Sequence, residues 1–522
     1  MEQPDQSPDT RKPEQPKIDW FILIAGTAIL LALVLPAAFA PAWTSHKIDL
    51  AYEFITKKFG IYYIIAAITI TVFLLAIAFS RHGGRKLGPA GVRPVYSSFA
   101  WGSMLFCTGI GASLIYWGAA EWAMYYDSPP FGVAARSDQA IIWGATYGMF
   151  HWGPLAWALY CLPTIAFCCS YHIREMPILR LSAACSGVLG KYTGRWPGRI
   201  IDLLFIVGLL GTAATGLAFG TELVSSTFTR FSRSTLLPDL DDGFGMQLSI
   251  MILATLLIAY SVYRGLDKGI KILSVINATL VLVLIGFVLI VGPTKFILEM
   301  GVLSLGHLAQ NFIRMMTWTD PLARAEFVES WTIFYWAWWL ALGPFVGMFV
   351  AKISRGRTLR EVIFGMMAWG SLGCALFFIV LGNYALDLEL SSAYPVVEKI
   401  FAESPSWTIA AILEMLPMGK FWLLFVAVVA LIFTATTYDS ATYTLAAGAT
   451  KSLRTDQHPI RMHRVYWAIT LGLLPSALLF LGGLDPLRTA SVLASFPLLF
   501  VYVILIFSII AMLREPEADA SP

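Results

Sequence analysis

Long apolar stretches alternate with short polar segments along almost the whole chain. Runs of about 20 mostly apolar residues can each cross a hydrocarbon core of about 30 Å as a helix, so the pattern predicts an all-α polytopic membrane protein. We count twelve such spans and therefore expect twelve transmembrane helices. The spans lie at approximately 20–42, 60–80, 97–125, 138–169, 199–229, 246–264, 272–294, 328–352, 361–383, 419–447, 463–482 and 486–512.

Two segments between these spans have an amphipathic pattern. Residues 295–327 predict an interfacial helix that lies along the membrane surface, and residues 403–418 are a second candidate for such a helix. Polar tails flank the spans at 1–18 and 513–522. The first tail is Pro-rich without an apolar core, so we expect it to be disordered.

Basic residues indicate how the chain crosses the membrane. Lys and Arg cluster after the even-numbered spans, for example at 81–86, 355–360 and 451–464, whereas the segment 384–405 is rich in acidic residues. The loop 43–59, which carries three lysines, is an exception to this alternation. Because basic loops stay in the cytoplasm, we expect both termini to be cytoplasmic.

Composition narrows the functional class. The 522 residues are 57% hydrophobic and 13% charged with a mean hydropathy of +0.70, which excludes a soluble globular protein. A net charge of +3 gives no indication of nucleic-acid binding, and the six cysteines lack metal-ligand spacing. The pattern shows neither the clustered His, Asp and Glu of a membrane enzyme nor the repeated filter or charge ring of a channel. We therefore expect a transporter that is not an enzyme and needs no cofactor.

The third and eighth spans carry residues that interrupt helices. The third contains Gly109, Gly111 and Ser113 near its middle, and the eighth contains Gly343-Pro344. Glycine weakens a helix interior and proline removes a backbone hydrogen bond. Interrupted helices at corresponding places of two halves indicate a transporter's binding site, with halves at spans 3–7 and 8–12. Close helix packing through glycine is the alternative for the third span.

Two aromatic clusters are candidates for that site. The segment 331–339 reads WTIFYWAWW, and 150–160 reads FHWGPLAWALY. Helical spacing brings rings of each segment onto shared or adjoining faces, which can build an aromatic box for a cation. An interfacial aromatic belt combined with packing is the alternative. His151 lies in the second cluster with no acidic residue nearby in sequence, and we interpret it as structural.

The tenth span offers oxygen ligands. Its segment 431–440 places several hydroxyl groups and Asp439 within an apolar run. Hydroxyls and backbone carbonyls suit a hard monovalent cation, although back-bonding of Ser and Thr within the helix is the alternative. Asp439 is either functional or a structural cap on a neighbouring helix.

These motifs resemble the betaine/choline/carnitine transporter (BCCT) family over nearly the whole chain between the tails. The most specific is the run 331–339, followed by GPFVGM and ISRGRT; matching segments occur at 129–132, 150–154, 265–269, 319–321, 343–348 and 353–358. The resemblance implies a LeuT-type inverted repeat in spans 3–7 and 8–12, preceded by two extra N-terminal helices. It also implies homotrimers in a bacterial inner membrane that carry a trimethylammonium or similar zwitterionic osmolyte.

The resemblance also assigns site residues. It places the substrate box on Trp152, Trp157, Tyr160, Phe334, Trp338 and Trp339. We expect the backbone of the interrupted third span, at Gly109, Gly111 and Ser113, to contact the substrate carboxylate. The sodium site of the symporters falls on Cys107, Ile110, Phe433, Thr436 and Thr437. A second sodium position matches Phe345, with Thr212 and Thr215 as loose candidates. Sodium-independent exchangers of the family carry an Arg where this chain has Asn277, which favours sodium coupling.

Three departures leave the substrate open. Glycine betaine symporters often carry Trp at the position of Leu342 and a Gly-rich GxGxG-like stretch where this chain has residues 109–113. Choline carriers have Asp near the position of Ser113, and its absence here argues against choline. The segments 116–118 and 128–132 are closer to carnitine carriers. We expect sodium-coupled import of a glycine betaine-like osmolyte, with two alternatives: sodium-independent exchange of carnitine or betaine, and carriage of a sulfonium such as dimethylsulfoniopropionate.

The expected organisation assigns every residue to a segment. It comprises a cytoplasmic tail (1–18), two N-terminal transmembrane helices (19–95), a first repeat (96–294), the interfacial helix (295–327), a second repeat (328–512) and a second cytoplasmic tail (513–522).

Overall fold

The protein is described by a computed structural model. It covers residues 16–89, 91–108, 111–176, 178, 180–264, 267–322, 326–451, 453, 457–481 and 485–515. Within these residues the regular elements are all helices, accompanied by two isolated β-bridges. The predicted all-α class is confirmed.

The principal helices follow one another through short connections. In the first part of the chain they are α1 (Trp20–Phe39), α2 (Pro41–Phe79), α3 (Ser98–Thr108), α4 (Ala112–Asp127), α5 (Asp138–His151), α6 (Pro154–Cys168), α7 (Trp196–Arg233), α8 (Phe244–Arg264), α9 (Asp267–Val291) and α10 (Thr294–Thr317). In the second part they are α11 (Ile333–Ile353), α12 (Leu359–Leu390), α13 (Val396–Ala402), α14 (Pro405–Glu414), α15 (Gly419–Gly448), α16 (Arg461–Leu481) and α17 (Asp485–Arg514). A π-helical turn at Val328–Thr332 precedes α11, and α12 contains two further π-helical turns.

Eleven helical segments in the described part of the chain are long and apolar enough to cross a membrane, when α5 and α6 are taken together as the single segment Asp138–Ile173. They include α10, for which the sequence predicts an interfacial position. They omit the third predicted span, which is divided into α3 and α4. They also omit the seventh, whose apolar part Val275–Val291 is shorter than 18 residues. The chain is therefore a polytopic membrane protein, whereas the number twelve and the inverted repeat remain predictions.

The second helix begins much earlier than the sequence suggests. The prediction of a loop at 43–59 was wrong, because α2 starts at Pro41 and continues without a break to Phe79. At 1.5 Å per residue, 39 residues extend roughly 58 Å, about twice a hydrocarbon core of about 30 Å. Polarity marks where an apolar span ends but not where a helix ends, and no Gly or Pro interrupts 42–59.

The last residues of the predicted disordered tail are ordered. Residues 1–15 lie outside the described residues, but Ile18 forms a β-bridge with Thr450. The N–H of Asp19 donates to the carbonyl of Ala449 at 2.8 Å, and Lys451 N–H donates to the carbonyl of Lys17 at 2.9 Å. The prediction of disorder was therefore wrong for residues 16–18, because the backbone after α15 supplies their hydrogen-bond partners.

The eighth span is not interrupted. Helix α11 runs through Gly343-Pro344, so the predicted break there was wrong. Pro344 cannot donate to the carbonyl of Leu340, four residues earlier. The hydroxyl of Tyr502 on α17 donates to that carbonyl at 2.9 Å instead, which allows the helix to continue. The third span is broken as predicted, since Gly111, immediately before α4, has an extended backbone.

Helices α6 and α11 pack side by side and form the centre of the molecule. Helices α7, α17 and α2 pack against this pair, and α4 and α15 pack against α7. Almost every side chain on α6 is buried, as are most of those on α11. A helix that is apolar on all sides is buried by its neighbours, and both aromatic clusters therefore belong to the interior.

Candidate functional site

A cavity of about 120 Å³ lies between the central pair of helices and their neighbours. Its walls come from the end of α3, the start of α4, and from α6, α7, α11, α12 and α15. Eight residues predicted for the substrate and first sodium sites line it: Gly111, Ser113, Trp152, Trp157, Tyr160, Trp338, Trp339 and Thr437. Phe345 and Thr212, predicted for the second sodium position, line it as well.

Five aromatic rings form much of the wall. Trp338 and Trp339 are parallel within 5°, with ring centroids 5.6 Å apart. The Trp152 ring stands at 79° to Trp339 with centroids 4.7 Å apart, and Tyr160 stands at 90° to Trp339 at 5.3 Å. Trp157 follows at 5.5 Å from Tyr160. The two predicted clusters thus meet, and their combination of ring faces and edges can surround a cation.

Phe334 does not line this cavity. Its ring is fully buried, 5.5 Å from Trp338 and 6.3 Å from Trp117. The guanidinium of Arg488 on α17 lies 5.7 Å from the Phe334 ring and 3.8 Å from the Trp331 ring. Phe334 therefore packs behind Trp338, and its contact with the cavity is indirect.

A buried carboxylate, for which the sequence made no prediction, bonds Trp152 of the cavity wall and also Tyr335, which does not line the cavity. Glu121 on α4 is fully buried, and one of its oxygens accepts from Trp152 Nε1 at 3.1 Å and from the Tyr335 hydroxyl at 2.6 Å. Its other oxygen accepts from the Tyr125 hydroxyl. An acidic residue within the apolar third span was the available signal, since intramembrane acids are by default functional.

His151 belongs to the same network. Its Nδ1 lies 2.8 Å from the Tyr125 hydroxyl and 3.8 Å from Glu121, so the acidic partner that is missing nearby in sequence comes from α4. Its Nε2 lies 3.1 Å from the Thr332 hydroxyl. The backbone carbonyl of His151 accepts from Trp339 Nε1 at 2.8 Å. The ring and backbone of His151 together connect Glu121 to both aromatic clusters.

One donor in the cavity wall is unused. Trp338 is 3% exposed, and its Nε1 has no acceptor among the described residues. The N-terminus of α4 also adjoins the cavity, because Gly111 and Ser113 line it. First-turn N–H groups of a helix lack intrahelical acceptors and form the positive end of its dipole. These donors suit a carboxylate.

The predicted sodium ligands are described only in part. Gly109 and Ile110 lie outside the described residues, as does the side chain of Cys107, whose backbone lies in the last turn of α3. Phe433 and Thr436 are buried on α15, whereas Thr437 lines the cavity. The Thr436 hydroxyl donates to the carbonyls of Ile432 and Phe433 at 2.9 and 3.2 Å, which leaves its oxygen lone pairs available.

The remaining sequence candidates have structural partners. Asp439 lies 3.8 Å from Arg464 on α16, and both side chains are buried, as in the structural interpretation. Thr212 lines the cavity and donates to the Gly208 carbonyl at 2.7 Å, while the Thr215 hydroxyl lies 3.0 Å from that of Ser491. The Asn277 amide donates to the Val429 carbonyl at 3.0 Å.

Several lining residues gave no signal in the sequence. Leu209 and Ala213 on α7, Cys374 on α12, and Tyr438 on α15 all face the cavity. The Tyr438 hydroxyl donates to the Ala213 carbonyl at 2.8 Å. Small and apolar residues of this kind are abundant in every span, so only the packing of the helices selects them.

Comparison with known proteins gives a consistent result. The sequence model of the betaine/carnitine/choline family of transporters matches residues 21–518. The uncharacterized transporter YeaV of Escherichia coli (strain K12) is 34% identical over 85% of this chain and 91% of its own length. A carnitine transporter of Acinetobacter baumannii is 32% identical over 95% and 89%, and the glycine betaine transporter OpuD of Bacillus subtilis is 32% identical over 96% and 94%.

Proposed function

The chain belongs to the betaine/carnitine/choline transporter family, and we propose that it imports a glycine betaine-like zwitterion by sodium symport. The observation that carries this proposal is the cavity wall formed by Trp152, Tyr160, Trp338 and Trp339. A methylated ammonium has no N–H to donate, so ring faces suit it better than carboxylates do. Each desolvated cation–π contact contributes about 1–2 kcal/mol.

The two ends of a zwitterion match two regions of the cavity. The rings surround the cationic head, and the unused Trp338 N–H and the N-terminus of α4 face the carboxylate. Glu121 accepts from Trp152 Nε1 and from the hydroxyl of Tyr335, and thereby fixes the orientation of the Trp152 ring in the wall. Import then follows from alternating exposure of this cavity to the two sides of the membrane.

Sodium is the coupling ion in this proposal. Thr437 at the cavity and the Thr436 oxygen are ligands of the kind that a hard monovalent cation prefers. The carbonyls near the break between α3 and α4 would complete the site, as the family resemblance implies. Asn277 supplies no fixed positive charge in place of the ion.

We further propose a homotrimer in a bacterial inner membrane, with both termini cytoplasmic and no enzymatic activity. The alternating charges of the loops support the orientation. The alternative function is sodium-independent exchange of carnitine or betaine, and the carnitine transporter among the relatives favours it. A sulfonium osmolyte fits the same rings, because it also carries a methylated cation.

Uptake of radiolabelled glycine betaine by purified protein in liposomes tests the proposal. We expect accumulation only with an inward sodium gradient. Thr437→Ala should raise the sodium concentration needed for half-maximal uptake, whereas Thr279→Ala should not, since Thr279 is an exposed residue that bonds its own helix. Exchange against preloaded substrate without sodium would favour the alternative. Failure to transport betaine, carnitine and sulfonium substrates would contradict the proposed function.

A further inference from the structure

We propose that Tyr502 on α17 is a positioning residue for the aromatic box, that is, for the rings of Trp152, Trp157, Tyr160, Trp338 and Trp339. Its hydroxyl bonds a backbone carbonyl of α6 and one of α11 beside these rings, and we call this shared hydrogen bond the tie. The inference rests on the proposed function in so far as the box binds substrate. The geometry of the tie is independent of that function.

Proline creates the same defect in both helices of the central pair. Pro163 lies inside α6 and Pro344 inside α11. Neither can donate to the carbonyl four residues earlier, which leaves the carbonyls of Leu159 and Leu340 without their helical partners. An unpartnered buried carbonyl destabilises the fold, because it has given up its hydrogen bonds to water.

A single hydroxyl donates to both of these carbonyls. Tyr502 is 1% exposed, and its hydroxyl lies 2.9 Å from the Leu340 carbonyl oxygen and 3.2 Å from that of Leu159. A tyrosine hydroxyl has a single proton, so the two carbonyls share it. Both prolines are thereby tolerated through the same atom of a third helix.

The backbones of α6 and α11 approach closely at this point. A Cβ added at Gly343 would overlap the Tyr502 hydroxyl oxygen and lie 3.1 Å from the Leu159 carbonyl oxygen. One turn further on, a Cβ at Gly347 would lie 2.9 Å from the Thr164 nitrogen. The absence of a side chain at Gly343 leaves room for the Tyr502 hydroxyl, and its absence at both glycines lets α6 approach closely.

The tie lies next to the substrate cavity in sequence and in space. Leu159 immediately precedes Tyr160, and Leu340 immediately follows Trp339. The rings of Tyr160 and Trp339 stand perpendicular at 5.3 Å across the junction of the two helices. A change in the separation of the two carbonyls therefore changes the gap between these rings.

Tyr502→Phe removes the hydroxyl and keeps the ring. We expect it to weaken substrate binding about three- to tenfold, in line with the loss of one to two modest hydrogen bonds, and to change the tryptophan bands of the near-ultraviolet circular dichroism spectrum. Tyr63→Phe is the matched control, since Tyr63 is equally buried and bonds α17 at Ser495 and Val492, away from the box. The control should lower thermal stability without either effect.

The substitution Pro344→Ala distinguishes a hydrogen-bonding role of Tyr502 from a role in packing alone. It restores an N–H that can donate to the Leu340 carbonyl, so Tyr502→Phe should cost less affinity in the Pro344→Ala background than in the wild type. Equal losses in both backgrounds would overturn the proposal. So would an unchanged circular dichroism spectrum in Tyr502→Phe, whether or not substrate binds. Absence of substrate binding by the wild-type protein would instead count against the proposed function alone.

Discussion

Replacement of Glu121 by alanine should disturb the aromatic box more than any other change outside it. The substitution leaves Trp152 Nε1 and the Tyr335 hydroxyl without the oxygen that accepts both of them, at 3.1 and 2.6 Å. The Tyr125 hydroxyl can turn to His151 Nδ1 at 2.8 Å, so it keeps a partner. The N–H of Trp152 and the hydroxyl of Tyr335 are therefore the two buried donors that lose their acceptor.

The size of the effect follows from these two donors. An unpartnered buried donor costs about 1–3 kcal/mol, so Glu121→Ala should lower the free energy of unfolding by about 4 kcal/mol. Because Trp152 loses its orientation, we also expect substrate affinity to fall at least about 30-fold, equivalent to about 2 kcal/mol. Glu121→Gln keeps one oxygen for both donors and loses the charge, so its cost should be about 1–2 kcal/mol.

Two measurements on each purified variant check this reasoning: thermal unfolding followed by tryptophan fluorescence, and substrate affinity by fluorescence titration. Glu414→Gln is the matched control, since Glu414 pairs with Arg230 at the end of α7 and is partly exposed. It should change affinity less than twofold, because exposed ion pairs contribute little. The reasoning is refuted if Glu121→Ala binds substrate as tightly as Glu121→Gln.

Two further substitutions test the walls of the cavity. Trp339→Ala should abolish uptake in liposomes while the protein remains folded and inserted, and Phe334→Ala should reduce it less, because Phe334 lies behind Trp338. Uptake by Trp339→Ala with unchanged affinity would show that the rings only pack. Gly370→Ala should weaken binding at least fivefold, since the added Cβ overlaps the Trp157 ring. Gly286→Ala, whose Cβ meets nothing within 4 Å, is its control.

Much of the box could be predicted from the sequence because its residues lie in two short segments. Helical spacing places Trp338 and Trp339 on adjoining faces, and the family resemblance pairs them with Trp152. The network around Glu121 could not be predicted in this way. Its members come from α4, α5 and α11, and a pattern within one span contains no information about contacts between spans.

The continuity of α11 illustrates the same limit. Gly343-Pro344 is a correct signal for a missing hydrogen bond, but the sequence does not show what replaces it. The replacement is Tyr502, which lies 158 positions away from Pro344 in the chain. In contrast, Gly111 in the third span does mark a real helix boundary, since it is extended with φ −149° and ψ 177° directly before α4.

The central claim is that the rings recognise a fixed positive charge, and equilibrium binding of a matched pair of ligands tests it most directly. One ligand is the transported zwitterion, glycine betaine or carnitine, and the other is its isostere with a tert-butyl group in place of the trimethylammonium. With three or four rings at about 1–2 kcal/mol each, the charged ligand should bind at least about 100-fold more tightly. Equal affinities would contradict the account, because shape and hydrophobic contact alone would then explain binding.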